Sequence, residues 1–106
     1  MSTEHNDSWT LGETWSLEVL CTDLDGDPIN PNAAHWRLRT LDGTTALTLT
    51  NGDGIVIAGN VCTITVPTGS QGPITSQTYR HRLKITDSGG AESRQVHGLI
   101  KVLPDE

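Results

Sequence analysis

A chain of 106 residues with 13 acidic against 7 basic side chains, formal charge −6, holds one modest core and lacks the basic footprint of a general nucleic-acid binder. Hydrophobic residues make up only 34%, and with three Trp, one Tyr and no Phe, a few large side chains must carry much of the core volume. No apolar run approaches the length that crosses a bilayer, and the opening MSTEHNDSWT has neither the basic segment nor the apolar run of a secretory signal, so a soluble, untargeted product is expected.

Residues 1–10 read as a flexible N-terminal arm, polar up to Ser8. Trp9 and Leu11 break that polarity, either as a plug on the rim of the core or as a contact with a neighbouring molecule. From Glu13 to Thr22 the residues Trp15, Leu17, Val19 and Cys21 alternate with Thr14, Ser16, Glu18 and Leu20, the period of a half-buried strand. The run 23–28, DLDGDP, is a turn: Gly26 tolerates unusual φ, and Pro28 lacks the amide that an interior ladder needs.

Ala34 to Leu41 is the next strand, with Trp36, Leu38 and Thr40 on one face and His35, Arg37, Arg39 and Leu41 on the other. Asp42-Gly43 suits a tight turn, and Thr44 to Thr50 is a short Thr-rich strand. Asn51 to Gly54 is a further turn cluster, followed by short strands over Ile55–Ile57 and Val61–Val66. The stretch 67–76, PTGSQGPITS, reads as a flexible loop. The clearest element closes the chain. Tyr79, His81, Leu83 and Ile85 share one face of a strand from Thr78, with Arg80, Arg82, Lys84 and Thr86 on the other. After Asp87-Ser88-Gly89-Gly90, the return arm sets Val96, Gly98, Ile100 and Val102 against His97, Leu99 and Lys101. About seven short strands with frequent turns predict an all-β chain: an Ig-like antiparallel β-sandwich over residues 11–103, with a short tail at 104–106. Its expected core is Trp15, Leu17, Val19, Trp36, Leu38, Ile64, Val66, Leu83, Ile85, Val96 and Ile100.

Little here points to catalysis. Asp23, Asp25 and Asp27 superficially resemble calcium-loop spacing, but the terminal Glu, the longer ligand series and the flanking helices of such loops are missing. A turn that caps its own amides is expected, with a weak metal site at these residues as the alternative. His5, His35, His81 and His97 are scattered, and pattern gathers at most two of them, short of a zinc set. No nucleophile motif stands out, so no enzyme and no cofactor are expected. Cys21 and Cys62 both fall on apolar phases, as two buried thiols or as a disulfide across two sheets. The row Arg80, Arg82 and Lys84, beside Lys101 and Leu99, makes a positive strip. It is either an ordinary solvated face or a docking face for an acidic partner surface; without interleaved aromatics, nucleic acid is disfavoured.

The run TWSLEVLCTDLDGDPINPNAAHWRLRTLDG, with an alternating strand, a D-x-D-G-x-P turn and a second strand ending at D-G, resembles small Ig-like domains of tailed-bacteriophage virion proteins. The N-terminal domain of upper baseplate proteins is the nearest comparison. Asp23, Asp25, Gly26 and Pro28 match the first turn and Asp42-Gly43 the second, and Tyr79–Asp87, Gly90 and Gly98–Val102 match the closing hairpin. The chain ends where baseplate proteins continue into further modules. The resemblance therefore implies a free-standing virion accessory or adaptor of the capsid, head–tail junction or tail, made in the host bacterial cytoplasm. Homo-oligomers and contacts with other virion proteins are implied with it, the interface candidates being Trp9, Leu11, Arg80, Arg82, Lys84 and Lys101. The alternative is a secreted or cell-surface Ig-like interaction module.

Overall fold

The computed structural model describes residues 3–23 and 25–104. Met1, Ser2, Leu24, Asp105 and Glu106, which belong to the expected arm, acidic turn and tail, lie outside the described residues. The strands are β1 (Thr3–Glu4), β2 (Asp7–Thr10), β3 (Trp15–Leu20), β4 (Ala33–Thr40), β5 (Thr45–Asn51), β6 (Gly54–Ala58), β7 (Val61–Val66), β8 (Thr78–Thr86) and β9 (Glu92–Leu103). Among the described residues there is no α-helix, only one 3₁₀ turn at Thr68–Ser70.

Hydrogen bonding follows one path, β1-β9-β8-β4-β5-β6-β7-β3, with β2 also beside β9. The sheet curls on itself, so the apolar faces of β3, β6 and β7 meet those of β4, β8 and β9 in one core. This is the expected all-β sandwich, and it departs from the expected form in two respects. Among the described residues it has nine strands rather than about seven, and it is not wholly antiparallel, since β1 and β2 run parallel to β9 and β5 meets β6 in parallel. The step from β5 to β6 carries the chain between layers and needs Gly54. Its φ is +97°, and a Cβ there would stand 2.7 Å from Leu49 Cδ2.

The period-two patterns become burial. Ten of the eleven expected core residues are buried, and Leu17 is partly so, packed against the rest. Trp9, Ile55, Ile74, Tyr79 and Val102 join them. Trp36 (β4) stacks on Trp15 (β3) at 5.3 Å, and Trp15 stacks on Trp9 (β2) at 5.9 Å, so one indole column links both layers and the arm.

Two buried glutamines pin chain crossings that apolar side chains could not. Gln71 accepts from Gly12 N at 2.9 Å and donates to Glu13 O at 2.7 Å, holding the turn between β2 and β3. Gln95 sits where the β8–β9 register shifts; it accepts from Thr22 N at 2.9 Å and donates to Thr22 O at 3.0 Å. The stretch 67–76, expected as a flexible loop, is thus tied down through Gln71 and buried Ile74, and the Tyr79 hydroxyl accepts from Thr75 N at 2.9 Å.

Cys21 and Cys62 are free buried thiols with their sulfurs 3.5 Å apart. Val19 pairs with Cys62, and Cys21 N donates to Asn60 O, so the two are diagonal neighbours on adjacent strands of one layer. A bridge across two sheets is therefore excluded by their placement. The hydrogen bond with Cys62, together with burial, pushes the Cys21 thiol well up.

Candidate functional site: a basic face on β4, β8 and β9

The outward phase of three adjacent strands gathers all seven Lys and Arg side chains of the chain. β4 contributes Arg37 and Arg39, with His35 beside them. β8 contributes Arg80, Arg82 and Lys84. β9 contributes Arg94 and Lys101, with His97 and an exposed Leu99 between. Register sets like charges directly opposite one another: Arg37 faces Arg82, Arg39 faces Arg80, and Lys84 faces Arg94. Such pairs destabilise a sheet. Burial first, and then the charges of Arg94, Arg37 and Arg39, hold the Arg82 guanidinium below its usual value.

Among the described residues none of the seven is in an ion pair; the one ion pair there is His5 with Asp7, at 3.7 Å. Arg39 Nε donates to Thr45 Oγ1. Glu4, paired in register with His97, stands on this face among the guanidinium groups, and Glu92 lies near His35. Between the guanidinium groups lies an open groove of about 480 Å³, lined by Arg37, Arg39, Arg80, Arg82, Arg94 and His97. Meanwhile the acidic side chains Asp23, Asp25, Asp27, Asp42, Asp53 and Asp87 sit on turns. The charge of −6 therefore hides a strong segregation.

Of the expected interface residues, Arg80, Arg82, Lys84 and Lys101 do share this face. Trp9 does not: it is 4% exposed, stacked on Trp15, and so belongs to the core, and Leu11 is partly buried against it. Arg37, Arg39 and Arg94 were not assigned to the strip. The alternation of β4 already set the first two outward, but only cross-strand register brings them to Arg82 and Arg80.

The described residues of the arm, expected as flexible over residues 1–10, form β1 and β2 beside β9. Thr3 pairs with Val96 and Thr10 with Leu103. Between β1 and β2 the ladder changes hands: His5 N donates to His97 O at 2.8 Å, and Leu99 N donates to the Asn6 side-chain Oδ1 at 2.9 Å. The His5 carbonyl turns inward and accepts from His81 Nε2 at 2.7 Å. Trp36 Nε1 donates to His81 Nδ1 at 3.1 Å, which assigns His81 as the neutral tautomer with its proton on Nε2. Burial dominates in keeping its pKa below the ordinary histidine value. Gly98 makes room, since a Cβ there would overlap the His5 carbonyl oxygen. Burial raises the Asp7 pKa, but the Trp15 indole, the Ser8 amide and His5 outweigh that and hold it low.

In the acidic turn, Asp23 Oδ1 accepts from Asp25 N at 2.9 Å and from Asp27 N at 3.0 Å, the self-capping arrangement of a tight turn. Among the described residues, no three His, Cys, Asp or Glu side chains are grouped as a metal site.

No protein-family model matches the chain, and no curated protein is similar to it in sequence. Among solved structures it is similar to CopC from Methylosinus trichosporium OB3b, at 14% identity and TM-score 0.49, over 74% of this chain and 69% of that one. It also overlaps extracellular domains 3–5 of Drosophila OTK, at 12% identity and TM-score 0.38, over 94% of this chain and 32% of that one. A third is the V domain of amphioxus IgVJ-C2, at 15% identity and TM-score 0.35, over 91% of this chain and 98% of that one. None of these likenesses carries a function across.

Proposed function

We propose that this chain is a non-catalytic Ig-like interaction module that docks an acidic protein surface on the outward face of β4, β8 and β9. The observation that carries this reading is the three directly opposed like-charge pairs, Arg37/Arg82, Arg39/Arg80 and Lys84/Arg94, in a chain of net charge −6. Stability disfavours such an arrangement, and a partner carrying carboxylates relieves it. Leu99, exposed among the cations of β9, adds apolar contact to the patch. The partner setting we propose is a tailed-phage particle, in which copies of the chain associate with one another and with other virion proteins. The D-x-D-G-x-P and D-G turns and the closing hairpin support that setting.

Fluorescence anisotropy with labelled poly-glutamate tests the face. Replacing both Arg37 and Arg82 with Gln should weaken binding by about tenfold, the worth of two partly exposed charge contacts, and added salt should weaken it further. Equal binding by the double variant overturns the docking face. Mass spectrometry of purified particles and the identity of neighbouring genes test the virion setting: portal, terminase or tail genes alongside support it, and absence from particles refutes it.

A further inference from the structure

The free edge of the β9–β8–β4 layer is capped by the chain's own N-terminal arm, and the seat that holds it is keyed to this sequence. Gly98 leaves a notch for the inward-turned His5 carbonyl, and His81, fixed by Trp36, donates into that notch. Asn6 Oδ1 stands in for a main-chain acceptor opposite Leu99 N. Asp7 Oδ2 accepts from the Trp15 indole at 2.9 Å, and Trp9 stacks on the same ring. An arbitrary extended segment would not meet all of these conditions together. The arm of another copy meets every one by identity of sequence.

The arm is also the least firmly satisfied part of the packed structure. Among the described residues, Trp9 Nε1 is buried without a hydrogen-bond partner, and His5 Nε2 has only the Asp7 carboxylate at 3.7 Å, beyond hydrogen-bond distance; both belong to the arm. Every contact between arm and seat is non-covalent. Continuity with the body runs only through the turn at Leu11–Thr14, which the Gln71 side chain holds by its bonds to Gly12 and Glu13. Opening that turn carries the arm away from its own β9 while leaving β3–β9 in place.

We propose that residues 3–10 exchange between copies, the arm of one chain occupying the β9 seat of a second. Reciprocal exchange gives a closed two-fold dimer, and onward exchange gives a linear array. The same hydrogen bonds break and re-form, so protein concentration and the ease of opening the Gln71-held turn set the balance between the two forms. The inference rests on the reading that copies associate, and it supplies the contact through which they do so.

The test uses the full chain with Thr10→Cys and Leu103→Cys, positions paired across the arm and its seat. Chains labelled with ¹⁴N and ¹⁵N are mixed over a range of concentrations, equilibrated and then oxidised. Exchange gives covalent ¹⁴N/¹⁵N dimers whose fraction rises with concentration before oxidation, and rises several-fold more when Gln71→Ala loosens the turn. A control pairing Thr10→Cys with Val56→Cys, the latter on exposed β6 and outside the arm's seat, should give few. Intramolecular links alone at every concentration overturn the proposal, as do equal dimer yields from the control. Light scattering keeps the two readings apart: an oligomer with only intramolecular links refutes exchange but not association, and a monomer under all conditions refutes both.

Discussion

Replacing Gly98 with Ala tests the seat of the arm with the smallest possible change. The backbone at Gly98 has φ +159°, which residues with a Cβ rarely adopt, so some backbone strain adds to the steric penalty. The new methyl group would occupy the position of the His5 carbonyl oxygen and crowd Asn6 Oδ1. The arm must therefore lift, losing the bonds His81 Nε2–His5 O, His5 N–His97 O and Leu99 N–Asn6 Oδ1. At about 0.5–1.5 kcal/mol each, these sum to about 1.5–4.5 kcal/mol. If lifting also exposes Trp9, about 1.5–3 kcal/mol of burial is lost with it, while water re-pairs some of the freed groups and returns part of the total. The expected loss is about 2–5 kcal/mol, read as a lower urea midpoint with a shallower slope, since the lifted arm is already exposed before the body unfolds. Indole fluorescence, red-shifted below the main transition, would show the arm leaving before the body unfolds. A variant within about 0.5 kcal/mol of the parent would refute the view that the arm is seated in the notch, since even one lost hydrogen bond costs that much.

Leu83→Ala, at a fully buried site in mid-β8, should cost about 2–4 kcal/mol in the same urea assay; an unmoved thermal melt would show that β8 is not part of the core. His81 faces Trp36, His5, Asp7 and His97, and its folded pKa lies below the unfolded value of about 6.5. Its contribution to stability is therefore complete above that unfolded value and is lost as pH falls toward and through the folded one. A parent protein whose melting temperature stays flat through this interval, or a His81→Gln variant with the same slope, would contradict the buried neutral state of His81. Calcium added to metal-free chain should give little heat and little rise in melting temperature, because Asp23 is committed to its own turn. A saturable transition at micromolar calcium, lost in Asp23→Asn, would reassign that turn as a cation site.

The parts of the fold legible in the sequence are those set by neighbours a few residues away. Alternation along β8 and β9 specified both the buried face and the turn between them, and the period through Trp15 and Val19 did the same for β3. What pairing at long range decides was not visible. The arm is polar in composition and earns its order from β9, some ninety residues on; Trp9 was the sole hint. Gln95 turns inward only because the register shifts at β9. Gln71 reads as a loop residue until the β2–β3 turn is laid beside it. The basic face was legible in part: each strand's outward phase was evident, but the order β9-β8-β4 that sets Arg82 beside both Arg37 and His97 is a property of topology.

The indole column has an optical consequence. Its three rings are all the tryptophans the chain contains, and neighbouring centroids lie 5.3 and 5.9 Å apart. Rings this close share their excited states, so the native protein carries one collective chromophore whose outermost member belongs to the arm and whose other two bridge the layers. Displacing the arm shortens the column by one ring and leaves the remaining pair coupled. Separating the layers uncouples everything. Near-ultraviolet circular dichroism should therefore fall in two distinguishable steps, and the unlabelled chain reports the position of its own terminus.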